Sequence, residues 1–321
     1  MFKTRFISML VLLAAVATGA VAQNYKVSVK EGTEDATSWT ITPAEATTTG
    51  VAAGTEVKAT YNGTKKVKSV KAVKKKPDLL SGVFSVSASK KVKFSKGNLR
   101  YASGTWSFFN NQYDYYTSYS ADAWDHFGWS TSATTYGMNT STDKSTYSGN
   151  FVDWGSNSDL KTALGTGWFT LSSDESKYLF DTRSASTVGG TDNGRYAKAK
   201  VNGVWGVILF PDTYTHPDGV TPPTGVNAGG DTGNGNNYSS ADWTKMESAG
   251  CVFLPAAGYR MGEALASLGI FGAYWSATSS GKVSDYSAYD FVYYYSTYLD
   301  PKFTNTRNHG FSVRLVREVT E

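Results

Sequence analysis

The dipeptide Asn202-Gly203 sits between two strand-like runs, Arg195-Tyr196-Ala197-Lys198-Ala199-Lys200-Val201 before it and Val204-Trp205-Gly206-Val207-Ile208-Leu209-Phe210 after it. A two-residue hairpin loop needs positive φ at its central positions, which Asn and Gly tolerate best, so this stretch predicts two antiparallel strands joined by a tight turn. Composition points the same way. The 321 residues include 21 Tyr, 16 Phe, 9 Trp and 32 Gly beside only 8 Pro, a mixture that favours strands, tight turns and aromatic surface over helical bundles. At 40% hydrophobic and 18% charged, the chain can bury a sizeable core.

Residues 1–22 read as a secretory signal peptide, with Lys3 and Arg5 as its basic start, Ile7 to Val16 as its apolar stretch and Ala20-Val21-Ala22 as a small-residue cleavage site. The mature chain is then expected to begin at Gln23 and to work outside the cytoplasm, released, periplasmic or at the cell surface. Losing Lys3 and Arg5 moves the formal charge from +4 to +2, a balance that predicts no nucleic-acid partner. No later stretch approaches the roughly 20 apolar residues of a spanning helix, so no transmembrane span is expected. Cys251 is the only cysteine, which rules out a disulfide within a monomer. Its place at the head of Cys251-Val252-Phe253-Leu254 reads as a small buried hydrophobe. No cysteine follows the leader to carry a lipid, so the chain does not read as a lipoprotein.

Residues 23–76 alternate with period two and read as a small β-sandwich-like module. Tyr25, Val27 and Val29 form one strand, Trp39 and Ile41 a second, and Val57, Ala59 and Tyr61 a third. Asn62-Gly63 predicts a hairpin from that third strand to a lysine-rich one. The lysines from Lys65 to Lys76 suit an edge strand running into a solvated linker at 77–82. The second domain is expected to span 83–321. In it, Ser172-Ser173-Asp174-Glu175 and Ser239-Ser240-Ala241-Asp242 are capping boxes, predicting two short helices of about ten residues, the second closed by Gly250. The loop Gly229-Gly230-Asp231-Thr232-Gly233-Asn234-Gly235-Asn236-Asn237 is dense in oxygen side chains, which makes Asp231, Asn234 and Asn236 weak calcium candidates. The spacing fails the EF-hand pattern, so the loop reads as a Gly/Asn connection and no metal or cofactor is expected.

In Phe311-Ser312-Val313-Arg314-Leu315 the apolar residues share one face, as in a strand with a defined core side. Residues 288–296 are strand-like but aromatic on both faces. Tyr289, Phe291, Tyr293 and Tyr295 point one way and Asp290, Val292, Tyr294 and Ser296 the other. One face must leave tyrosines near solvent unless a further layer covers it.

Phe84 to Asn98, the helix entry from Leu171 to Phe180, Val252-Phe253-Leu254-Pro255-Ala256-Ala257-Gly258-Tyr259-Arg260, Tyr274-Trp275-Ser276-Ala277-Thr278 and Gly310-Phe311-Ser312-Val313-Arg314 together resemble the FISUMP (major paralogous domain) family of secreted bacterial proteins. The resemblance covers residues 83–317 and rests on the order of several short motifs. It implies an α+β domain, β- and loop-rich with two short helices, whose fold is C-type-lectin-like, similar to formylglycine-generating enzymes, and is closed by the strand at 311–317. Related lectin-like proteins contact ligands just before that strand, which corresponds here to 274–308. Formylglycine-generating enzymes use a pair of copper-holding cysteines. With Cys251 alone, the resemblance implies the fold without the activity.

Catalytic patterns find little support. His126, His216 and His309 have no partner at metal-ligand spacing, no Gly-x-Ser-x-Gly elbow or phosphate loop is present, and the two Ser-x-x-Lys matches lack their companion motifs. What stands out is a Tyr- and Asn-rich segment near the C-terminus, with Ser and Thr interspersed. Tyr offers large contact area with few rotatable bonds, and Asn and Ser add adaptable hydrogen bonds, a mixture suited to sugars and protein surfaces. The candidate ligand-binding residues are Tyr286, Tyr289, Tyr293, Tyr295, Tyr298, Phe303, Asn305, Arg307 and Asn308. The expected function is non-enzymatic binding or adhesion, with a glycan or an extracellular protein as partner. Two alternatives are a fimbria-like structural subunit and a glycan-acting hydrolase, the latter needing two facing carboxylates.

Overall fold

The computed structural model describes residues 78–230, 235–281 and 286–319 in full, and the backbone of the strands before them. It divides into two compact units, Met1–Pro77 and Asp78–Glu321. In the first, Glu56–Tyr61 pairs with Ile7–Leu12 and with Trp39–Thr42, while Asn24–Glu31 pairs with Ser69–Lys74, Glu34–Asp35 and Val51–Ala52. The turn expected at Asn62-Gly63 lies outside the described residues; the strands on either side of it, Glu56–Tyr61 and Ser69–Lys74, belong to different sheets and do not pair with each other. An Asn-Gly pair specifies a hairpin when strands abut it on both sides. Here residues 62–68 lie between the strands, and they fall outside the described residues. The strand Ile7–Leu12 occupies part of the stretch read as a leader's apolar run.

The second unit begins earlier than expected. The Leu80 N–H donates to the Phe94 carbonyl at 2.8 Å, the Lys96 N–H donates to the Asp78 carbonyl at 2.9 Å, and Leu80 is buried. A Cβ on Gly82 would lie 2.1 Å from the Gly250 carbonyl oxygen, so the chain at 78–82 is wedged against its neighbours and is not a free linker.

Among the described residues this unit is mostly β-sheet with three α-helices. The hairpin at Asn202-Gly203 forms as the sequence predicts. Tyr196–Val201 pairs with Val204–Leu209, Val201 stands opposite Val204, and Asn202 and Gly203 have φ of 49° and 82°. Asn237–Tyr238 and Val252–Pro255 complete its four-stranded sheet. Both capping boxes are present. Ser172 and Glu175 close the start of Ser173–Lys177, which runs on as a π-turn to Thr182, and Ser239 and Asp242 close the start of Ser240–Ser248. A third helix, Ser158–Leu164, was not expected. It is too short for its apolar period to show, although its Asn157 cap and terminal Gly165 are visible in the sequence.

The sheet formed by Phe271–Ser279, Ser287–Tyr294 and Leu299–Thr306 organises the interior. Tyr274, Phe291 and Tyr293 join one apolar cluster on one face, and Ala273, Trp275 and Val292 join another on the opposite face. Both faces of the aromatic strand are therefore covered along 290–293, while Tyr294 and Tyr295 beyond them are half-buried. A third cluster, with Trp243, Met246 and the fully buried Cys251, packs against the 196–209 hairpin. The stretch 311–315 is buried on both faces, Ser312 and Arg314 included. It threads between layers, making single bridges from Phe311 to Phe127 and from Ser312 to Tyr274, before pairing as Val316–Glu318.

Candidate functional site

Several nominated residues are part of the framework. Tyr293 has no exposed surface, and its hydroxyl donates to the Leu254 carbonyl at 2.6 Å. Arg307 is 2% exposed. Its guanidinium lies 4.2 Å over the Trp129 ring, and its nitrogens donate to the carbonyls of Ser287, Tyr147 and Gly149 and to the Ser279 hydroxyl. Asn308 is buried and donates to the Thr142 carbonyl. These three are corrections to the expected ligand face: in a domain with this much loop, long polar side chains satisfy backbone groups that no ladder reaches.

Tyr286 and Tyr289 are half-buried. The Tyr286 carbonyl accepts the Arg307 N–H, and Lys302 lies 5.2 Å over the Tyr289 ring. Tyr295 stacks against Trp205 at 5.2 Å. Of the calcium candidates, Asp231 and Asn234 lie outside the described residues. Asn236 is a loop staple: its Oδ1 accepts the Thr224 N–H and hydroxyl, and its Nδ2 donates to the Lys198 and Thr224 carbonyls. Its amide is fully engaged and offers nothing to an ion.

Tyr298, Phe303 and Asn305 do come together. With Tyr259, Phe271, Tyr294, His309 and Phe311 they line a cleft of about 220 Å³ on the face of the sheet that carries Val292. That is below the roughly 300–1,000 Å³ of a drug-sized pocket and suits one sugar ring or one side chain. Local sequence explains the placement. Tyr294 ends the central strand opposite Phe271, and its N–H donates to the Tyr298 carbonyl across the turn, bringing the two rings to 5.4 Å. Phe271, Phe311 and His309 form the opposite wall, with Phe311 and His309 stacked at 5.6 Å. Tyr298 and Phe303 are 37% and 40% exposed, and the third exposed large hydrophobic among the described residues, Ile270, adjoins Phe271.

No lining side chain is formally charged at neutral pH. Burial pushes the His309 imidazole below its ordinary 6.5, so the ring is neutral. Its Nδ1 lies 2.9 Å from the Thr306 hydroxyl, which can donate or accept, and 3.1 Å from the Thr306 carbonyl, which only accepts; the tautomer that suits both contacts has the proton on Nδ1 and leaves Nε2 as an acceptor. The Asn305 Nδ2 donates to Asp290 Oδ2 at 2.9 Å, leaving its carbonyl oxygen as a second acceptor. The hydroxyls of Tyr259, Tyr294 and Tyr298 have no hydrogen bond among the described residues. The cleft thus combines aromatic faces with two fixed acceptors and three adaptable hydroxyls. That set complements a neutral molecule rich in O–H donors.

Sequence reasoning did not place Tyr259, Phe271, His309 or Phe311 in a site, whereas Tyr294 lies within the Tyr-rich segment that it singled out. Tyr259 and Phe311 belong to motifs read as framework, and His309 read as an ordinary surface histidine. Only the aromatic spacing around Tyr294 carried a signal.

Two other cavities are smaller. One of about 40 Å³ is lined by Phe180, Phe291 and the buried Arg314, and one of about 10 Å³ lies beside His126 and Arg260. Among the described residues no cluster of His, Cys, Asp and Glu could hold a metal ion, and no helix is long and apolar enough to cross a membrane. No family model, curated protein or solved structure matches the chain.

Proposed function

We propose that the second unit is a non-enzymatic recognition domain, and that its cleft binds an uncharged sugar residue of a glycan outside the cell. The observation that carries this reading is the exposure of Tyr298 and Phe303 at the rim of a cleft lined otherwise by buried or half-buried rings. Leaving two large aromatics in water forfeits their burial, and clustered exposed aromatics mark interaction sites. Sugar rings stack their C–H faces on such rings and offer hydroxyl donors to acceptors placed like His309 Nε2 and Asn305 Oδ1.

The lining contains no Asp or Glu, whereas glycoside cleavage needs two carboxyl groups facing the bond, so binding is favoured over hydrolysis at this cleft. Secretion is part of the same reading and is supported by the leader-like pattern of residues 1–22. A C-type-lectin-like arrangement of the FISUMP kind is supported by the motif order. It is also consistent with a final segment that runs through the core directly after a ligand-facing region.

The test is a glycan array probed with the chain from Gln23 onward, followed by titration with methyl glucoside, methyl galactoside and methyl mannoside. Binding to neutral hexosides is expected, with no requirement for sialylated or uronate-bearing glycans. Binding that depends on a carboxylated sugar, or no binding to any glycan, would overturn the reading.

A further inference from the structure

We propose that Asp290 is a positioning residue for this cleft: its buried carboxyl holds the Asn305 amide so that the Asn305 carbonyl oxygen faces the ligand. The nature of that ligand rests on the recognition reading above, whereas the role of Asp290 in orienting the amide does not.

Asp290 is 1% exposed on the central strand Ser287–Tyr294, on the face that carries Val292 and Tyr294. Its Oδ2 accepts from Asn305 Nδ2 at 2.9 Å, and its Oδ1 is buried with no partner among the described residues. A primary amide has two ends of similar size, and an isolated Asn at a cleft wall would present either one. A carboxyl oxygen that can only accept removes the ambiguity. Ionised, both oxygens accept; neutral, the O–H could instead donate to the amide carbonyl, so the Asn305 Nδ2 to Asp290 Oδ2 bond puts the proton on Oδ1 and leaves Oδ2 as the C=O that accepts. The Asn305 N–H end is therefore held inward and the C=O end outward. Leu299–Thr306 is the edge strand of its sheet, so among the described residues Asn305 has no neighbouring strand on its far side to hold it, and Asp290 supplies that restraint.

The electrostatics add a signature that simple packing would lack. Around Asp290 stand Asn305, Tyr298 and Asp300, with Trp275 and Phe303 flanking it in register, and no basic side chain reaches ion-pair distance among the described residues. Burial, reinforced by the Asp300 charge and only partly offset by the Asn305 hydrogen bond, pushes the carboxyl up to about 8. The group is neutral at pH 7, and above pH 8 it becomes a buried charge with one unsolvated oxygen. The edge strand must then loosen to admit water, and the Asn305 amide moves with it. His309 titrates below 6.5 and Tyr298 above 10, so the window near pH 8 belongs to Asp290.

The experiment is a pH titration of the side-chain amide signals of Asn305 by NMR on ligand-free protein, assigned by their disappearance in Asn305→Ser. In the native chain the signals are expected to shift with a midpoint near pH 8. In Asp290→Asn, which keeps an acceptor oxygen but cannot ionise, they are expected at the native neutral-pH position and flat from pH 6 to 9.5. In Asp290→Ala they are expected near the position of a solvent-exposed amide at every pH. Native signals that stay flat across this range, or an alkaline shift that persists in Asp290→Asn, would overturn the proposal. Titration of methyl glucoside, galactoside and mannoside into the same samples separates the two claims. If no hexoside binds while the amide titrates as described, the recognition reading fails and the positioning role stands. If a hexoside binds and the amide does not titrate, the reverse holds.

Discussion

The guanidinium of Arg307 lies 4.2 Å above the ring of Trp129, and four hydrogen bonds tie it to the backbone of Ser287, Tyr147 and Gly149 and to the Ser279 hydroxyl. One side chain thus joins the ends of the 271–294 hairpin to the 129–149 loop. In sequence it looks like a ligand contact; in the fold it replaces backbone pairing that the loop cannot make.

Arg307→Ala is accordingly expected to destabilise the domain by about 3 kcal/mol or more, since several buried acceptors lose their donor at once. Arg307→Lys should rescue little, because an ammonium cannot reproduce the planar fork over the indole. Urea unfolding checks both. Native-like stability in Arg307→Ala would contradict the assignment.

Tyr293→Phe removes one hydroxyl and leaves the ring packed beside Gly272. The Leu254 carbonyl loses its donor, and a cost of about 1–3 kcal/mol is expected, with no change in ligand binding at the cleft. Calorimetric unfolding together with hexoside titration distinguishes this core role from a ligand contact.

His126 should titrate above its ordinary value and His309 below it. Burial alone would push His126 down, but the Asp125 carboxylate, 2.7 Å from Nδ1, and the Ala257 carbonyl, 2.7 Å from Nε2, together raise it. Both neighbours accept, so both ring nitrogens donate and the charged form is favoured. The resulting stability is fully present below pH 6.5 and is lost as pH rises through the folded-state value. NMR titration of the imidazole signals is expected to place His126 above 6.5, and Asp125→Asn should bring it down. A His126 midpoint below 6.5 in the native chain would contradict this account.

How much of this was legible in the sequence follows from which interactions are local. Asn202-Gly203, Ser172 with Glu175 and Ser239 with Asp242 act within a few residues, and each forms as its residue types dictate. Asn62-Gly63 has the same local chemistry, but the strands around it find other partners. The strand at 288–294 shows its period clearly, yet period alone cannot say that both of its faces are covered. Tyr298, Phe303 and Asn305 were recognisable because a loop and an edge strand leave them accessible. Tyr259 and His309 reach the same cleft through long-range bridges, including the Arg260–Gly310 pairing, that no short window contains.

The central claim is that the cleft binds a neutral sugar through its two exposed rings, and the most direct measurement is hexoside affinity in Tyr298→Ala and Phe303→Ala beside the native chain. Both side chains are exposed, so each variant should keep its unfolding free energy within about 0.5 kcal/mol. If each ring contributes about 0.5–1.5 kcal/mol of stacking, affinity should fall roughly 2- to 12-fold per variant and further in the double variant. Unchanged hexoside affinity in the folded double variant would contradict the account.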